Sequence, residues 1–434
     1  MAANSSSTSK VKLNGKQWAI IVSIVTLYFF APTFSAVNSL NGLMPEVYGV
    51  SPADVSWIGT IGSITSCIAG LCVGLLVGKR VSYRVALIFS AAMFAIFGGL
   101  PFFWQDLSWP MLLASRAIFG LGVGCINPLV QSIITHMVQN ETARASLIGI
   151  INIVFSIGAS VGSMIVGALG LASWQTGYAF YLFAFIPLIL IIIFVHDQQI
   201  ISADEKPGEI IKEGAPKEKT KIPGGVWGFI CTFALCTLVC SGFFAYAGIA
   251  MAQSGVDTLV VGTVLTAFTV AGIVVAAANA LLWKAMRLFN FPVSYLLLAA
   301  GFALGLIGCA SGEVWLFFAS SIVMGVGCCL TGLVMPMALS VMVPAASLTM
   351  AISFQEIARN LGTFLASPVL VGVGSVFGDT AQVQFTAMLI ISLIGAAIGF
   401  ILAFKYNKKF KNVDFGQEEA GNPHENTQDQ VIPE

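Results

Sequence analysis

Within FQEIARNLGT, residues 354–363, Glu356 and Arg359 stand three positions apart in a segment that is otherwise apolar from Ser347 to Phe377. On a helix that spacing lets a carboxylate and a guanidinium meet. Such a pair offers a solute two things: a group that titrates, and a fixed planar cation that can grip a carboxylate through two hydrogen bonds. At about 100° per residue, Gln355, Glu356, Arg359, Asn360, Thr363 and Ser367 share a sector of roughly 140°, with Phe354, Ile357, Leu361, Phe364 and Leu365 opposite. A helix starting near Ser347 carries Arg359 about 18 Å inward, close to the middle of a hydrocarbon layer about 30 Å thick. A charge there costs at least about 2.5–3.5 kcal/mol, so the stripe must face water, protein or solute. Two readings stand. In one, a neutral pair fixes helix packing; in the other, Arg359, Gln355, Asn360 and Thr363 bind a solute and Glu356 carries a proton.

Arg116 is the other basic residue placed inside an apolar run, and Asn127 and Gln131 lie within about 60° of it around the same helix. It reads either as the centre of a conformational hydrogen-bond network or as a proton-coupling residue. GIINIVFSIGASVGSMIVGALG, residues 149–170, contributes Asn152, Ser156 and Ser160 as a second polar stripe, expected on the cavity wall opposite Arg359. Asn38 and Asn41 read as gate or interface groups. Enzymatic and metal chemistry lack their residues. His136, His196 and His424 are scattered, and nine cysteines show neither CxxC nor Cys/His ligand spacing. GLLVGKR, 74–80, lacks the spacing and the Ser/Thr of a phosphate loop, which argues against a nucleotide-driven pump. No metal, cofactor or nucleic acid is expected.

The elements that must position these residues follow from composition. Hydrophobic residues make up 57% of 434 positions, charged residues 9%, and mean hydropathy is +0.91, well above the usual soluble range. Twelve runs are long enough to span a bilayer: 17–42, 54–78, 82–104, 109–135, 145–172, 176–195, 225–251, 258–283, 291–311, 313–342, 347–375 and 383–405. Lys10, Lys12, Lys16, Lys79, Arg80, Arg84, Arg144, Lys284, Arg287 and Lys405 all fall at ends on one side. The opposite loops offer Glu46, Asp54, Asp106, Asp257, Glu313 and Asp379. Because short basic loops stay in the cytoplasm, both termini are expected there, in a cell membrane.

The chain divides at HDQQIISADEKPGEIIKEGAPKEKTKIPGG, residues 196–225, a polar stretch of mixed charge. The expected layout is a tail (1–16), a six-helix bundle (17–195), a linker (196–224), a second bundle (225–405) and a tail (406–434). GVGC at 122–125 recurs at 325–328, with LV at 129–130 and again at 333–334, an offset close to 203 residues. Repeated bundles of this kind place a transport site between them at mid-membrane.

SRAIFGLGVG, 115–124, resembles the Arg-x-x-x-Gly-x-Gly signature in the fourth helix of the major facilitator superfamily, through Arg116, Gly120 and Gly122. GLLVGKRVSYR, 74–84, is similar to that family's gating loop between helices two and three. Gly74, Lys79, Arg80 and Arg84 remain, whereas Gly78 replaces the acid that latches the family's cytoplasmic gate. The resemblance implies an all-α integral membrane protein of twelve transmembrane helices in two pseudo-symmetric six-helix bundles, working as a monomeric secondary transporter by alternating access. The fifth helix lacks the proline of the family's antiporter pattern, which favours uptake or uniport over drug efflux. The expected activity is proton symport of a small organic anion such as a carboxylate. The alternatives are an efflux antiporter for amphipathic drugs or metabolites, or a membrane protein with a signalling or structural role.

Overall fold

The computed structural model describes residues 15–77, 80–137, 141–196, 224–343 and 345–406. Among them, twelve helices are long and apolar enough to cross a membrane. In chain order they are α1 Gly15–Tyr48, α2 Pro52–Leu76, α3 Tyr83–Phe103, α4 Trp109–Met137, α5 Glu141–Gly170 and α6 Trp174–Phe194. The second set is α7 Gly224–Gln253, α8 Thr258–Ala277, α9 Asn290–Ser311, α10 Val314–Met342, α11 Ala345–Phe377 and α12 Ala381–Tyr406. With twelve crossings, α1 begins and α12 ends at the same face, here called the basic face. The α1–α2 and α11–α12 turns lie at the other, acidic face. The linker from 197 to 223 lies outside the described residues.

Four expected helices differ in form: α3 is π-wound over Met93–Phe97, α6 is 3₁₀-wound over Tyr178–Ala184, and the first and eighth depart further. The first continues past Leu43 to Tyr48, and its middle, Ala31–Leu43, is wound as a 3₁₀ helix with Pro32 near its start. The eighth stops at Ala277 and yields to a short helix, Asn279–Met286, before Arg287 turns the chain with a φ of 47°.

Each set of six forms one bundle. α4 packs on α2 and α3, and α6 on α1 and α3; correspondingly α10 packs on α8 and α9, and α12 on α7 and α9. Apolar helices gain little from hydrophobicity in lipid, so close backbone approach has to hold them. Glycine permits it: a Cβ on Gly124 would strike Ser66 O of α2, and one on Gly158 would strike Phe29 O of α1. In the second bundle Gly325 meets Phe268 O of α8, as Gly120 meets Gly62 O of α2, and Gly362 meets Ala234 O of α7, as Gly158 meets Phe29 O.

These contacts also fix the register of the internal repeat. Ser90 Oγ donates to Gly122 O at 2.7 Å, and Ser294 Oγ donates to Gly327 O at 2.6 Å. Gly122 therefore corresponds to Gly327, and Gly120 to Gly325. The identical GVGC tetrapeptides are two residues out of structural step, because glycine alternates along both helices and the sequence match slides to the wrong pair.

The bundles meet through α1, α2 and α5 on one side and α7, α8 and α11 on the other. Asn41 Nδ2 donates to Ala245 O at 3.0 Å, Ser56 Oγ to Ser367 Oγ at 2.8 Å, and Thr60 Oγ1 also bonds Ser367 Oγ. Thr258 Oγ1 donates to Gly167 O, and Thr266 Oγ1 to Ser160 O, both at 2.8 Å. Trp57 stacks edge-on against Phe364, with ring centroids 5.6 Å apart. All these contacts lie toward the acidic face, and the seam is closed there.

Candidate functional site

Beneath the closed seam lies a cavity of about 220 Å³. The first bundle supplies Phe34, Ser35 and Asn38 from α1, Thr60, Ser63 and Ser66 from α2, Asn127 from α4 and Phe155 from α5. The second supplies Ser241 and Phe244 from α7, and Arg359, Asn360 and Thr363 from α11. At ~30 Å³ per water the space holds about seven waters, below the ~300 Å³ at which drug-sized pockets begin. Hydroxyls, amides and phenyl rings share the lining.

Arg359 is tied to its neighbour one turn back. Its Nε donates to Glu356 Oε2 at 2.9 Å, and its Nη2 lies 2.8 Å from the same oxygen. Arg359 lines the cavity and is 40% exposed, and Glu356 beside it is 49% exposed. Exposed pairs hold together by only ~0–1 kcal/mol, so a competing carboxylate can take the guanidinium. Asn360 Nδ2 donates to Glu356 O at 3.0 Å, which keeps its amide against its own helix. The apolar sector expected opposite this stripe is exposed at Leu361 and Leu365, as a lipid-facing surface requires. Tyr28 Oη donates to Asn127 Oδ1 on the cavity wall at 2.6 Å.

Other expected residues lie elsewhere. Gln355 is buried at 5% exposure, with its Oε1 inside the protein rather than on the cavity. Gln131 is exposed farther along α4, and Ser156 is half-buried. The side chain of Asn152 lies outside the described residues. From α5 it is Phe155 that reaches the cavity wall, its ring tilted at 45° against Tyr28 with centroids 5.3 Å apart. By the pairing of Gly158 with Gly362, Phe155 stands about where Arg359 stands in the second bundle.

Arg116 has no place on this wall. It is fully buried, its Nη2 donates to Phe34 O at 2.8 Å, and its guanidinium lies 4.7 Å from the ring centroids of both Phe34 and Phe119. Tyr181 and Tyr178 close the cage at 5.6 and 6.0 Å. Nε and Nη1 find aromatic faces in place of acceptors. Delocalised charge over π faces offsets the cost of that burial, an arrangement suited to Arg and poor for Lys.

At the basic face, Arg84 Nη2 donates to Ile192 O at 2.7 Å, satisfying a carbonyl at the end of α6. Arg80 is exposed in the turn after α2, Gly74 has open space around it, and Gly78 and Lys79 lie outside the described residues. The polar lining from α2 went unread in the sequence, although GTIGSITS, 59–66, carries its signal. Thr60, Ser63 and Ser66 recur at near-helical spacing with glycines beside them.

The sequence profile of the Major Facilitator Superfamily matches residues 19–299. The fold is similar to that of a bacterial homolog of the human lysosomal transporter Spinster in an inward-facing, unoccupied conformation. The TM-score is 0.74 at 12% identity, over 92% of this chain and 99% of that one. It is also similar to the nucleoside transporter NupG, with a TM-score of 0.69, 15% identity and 91% and 100% coverage. A peptide transporter, POT, gives 0.70, 15% identity and 92% and 99% coverage. At these identities the likeness is one of fold. An MFS-type efflux transporter, phmH, of Phaeosphaeria nodorum is 35% identical over 99 residues, covering 20% of this chain and 17% of that protein.

Proposed function

The chain belongs to the Major Facilitator Superfamily, and from that premise we propose that it takes up a small organic anion, such as a carboxylate, together with a proton. The supporting observation is the Glu356–Arg359 pair, bonded to itself and solvent-accessible, with Arg359 on the wall of the cavity between the bundles. While Glu356 is ionised it occupies Arg359, and the site is neutral. A proton on Glu356 frees the guanidinium, which then takes the substrate carboxylate. The loaded site is neutral again. A proton alone leaves a net positive charge, and an anion alone leaves a net negative one. Both are costly to enclose in a low-dielectric seam. Only the empty and the doubly loaded carrier can therefore close and reopen readily, which couples the two solutes at one to one. With the basic face cytoplasmic, closure of the seam at the acidic face supports reading this conformation as inward-facing.

Proteoliposomes loaded and diluted across a pH gradient test the reading. Glu356→Gln should abolish gradient-driven accumulation of the anion while retaining counterflow exchange, since Arg359 is then permanently free. Retained pH-driven accumulation in that variant overturns the proposal. The short resemblance to an efflux transporter, together with Phe34, Phe155 and Phe244 in the lining, favours a second reading, export of an amphipathic solute. Accumulation of such a solute against a proton gradient, with no response to carboxylates, would establish it. The small cavity favours the first.

A further inference from the structure

Asp379 stands between α11 and α12, where Gly378 reverses the chain with a φ of +96°. Its carboxylate reaches into the opposite bundle. Oδ2 accepts from the backbone N–H of Ala53 at 2.7 Å. Ala53 sits in the first turn of α2, which Ser51 caps, so one of the free N–H groups at that helix end is satisfied by a charge from the other half of the molecule. Oδ1 accepts from Tyr246 Oη of α7 and from Gln384 Nε2 of α12 at 3.4 Å. Tyr246 and Gln384 are fully buried, and Gln384 is itself held by Leu370 O at 2.9 Å. The carboxylate is therefore aimed by its own bundle and bonded across the seam.

We propose that Asp379 is a charge latch on the acidic-face gate. The bond to Ala53 exists only while α2 and the α11–α12 turn are together, so an ionised Asp379 favours the closed acidic face. Neutralising it, by substitution or by protonation, favours the conformation open to that face. The other seam contacts named above are hydroxyl, amide and aromatic contacts. Asp379 adds a full negative charge, and hydrogen bonds to charged groups are the stronger class. The titratable groups facing it are Tyr246 on α7 and Asp54 on α2. Asp54 is engaged by Ser51 Oγ at 2.9 Å, while α12 presents the amide of Gln384 and α11 the backbone at Gly374. The inference stands apart from the identity of the substrate.

Spin labels carried by non-canonical side chains at Val47 and Gln253, on opposite sides of the seam, would read the acidic-face distance in lipid nanodiscs without substrate. Asp379→Asn should raise the ratio of the long-distance to the short-distance population by about tenfold or more. Lowering the pH should move the unsubstituted protein the same way, and Asp379→Asn should lose most of that response. Tyr246→Phe, which keeps the charge but removes one aiming bond, should give an intermediate shift. Asp54→Asn should keep the pH response. An unchanged distance distribution in Asp379→Asn, or a pH response that survives it intact, overturns the latch. Should that variant fail to fold, a pH-independent distance in the unsubstituted protein overturns it as well. Neither result bears on anion binding at Arg359, which is measured by exchange.

Discussion

At the scale of single residues, two arginines of similar sequence context have opposite surroundings. Arg359 faces the cavity beside a carboxylate, while Arg116 is sealed among four rings. Arg359→Lys keeps the charge but loses the planar fork, so the apparent KM for a carboxylate should rise roughly tenfold or more, with the folded fraction unchanged. Uptake assays alongside gel filtration would check it, and an unaltered KM would remove Arg359 from the substrate site. Arg116→Lys should instead cost about 2 kcal/mol of stability, since an ammonium can neither spread over Phe34 and Phe119 nor match the bond to Phe34 O. Thermal unfolding in detergent reads this loss. Lost proton coupling with no loss of stability would return Arg116 to a transport role. The sequence showed both charges, because charge in an apolar run is conspicuous. It could not show that one faces a cavity and the other a cage, since Phe34 and Tyr181 come from α1 and α6, far away in the chain.

At the scale of elements, the twelve helices and the polar face of α11 were legible, because hydropathy and a 100° period need only local residues. The winding of α1 and the structural register of the repeat were not. A 3₁₀ turn differs from an α turn by tertiary support, here Tyr181 Oη on Thr33 O at 2.5 Å and Arg116 on Phe34 O. Glycines divide by where they pack. Gly124→Val would push α4 off the backbone of α2 inside one bundle, and the yield of folded protein should fall several-fold in fluorescence-detected gel filtration. Gly262→Ala places its methyl against Ser163 O across the seam. That variant should fold, and the acidic face should open more readily, seen as faster labelling of a cysteine placed at Ser63 by an impermeant maleimide applied from that face. Equal loss of folded protein in both variants would deny that seam and bundle contacts have separate roles.

At the scale of the whole molecule, the basic and acidic faces predict orientation. Cysteines placed at Asp106 and Glu313 should react with an impermeant reagent from outside intact cells, and those at Arg80 and Lys284 only after the membrane is opened. The reverse pattern would invert every statement about import. Alternating access requires the acidic-face seam to open while each bundle keeps its own packing, and α1 touches both bundles along its 3₁₀ stretch. At three residues per turn, side chains three apart lie in a straight column. Pro32, Ser35, Asn38 and Asn41 therefore form a single file running from the cavity wall to the bond with Ala245 O. Rewound as an α-helix, the same nine-residue advance would turn Asn41 to the far side from Pro32, and the thirteen residues would shorten by about 6 Å. α1 thus holds slack as well as shape: a change of pitch would retract the end of the helix and swing its last asparagine off α7, a ratchet drawn from the backbone itself.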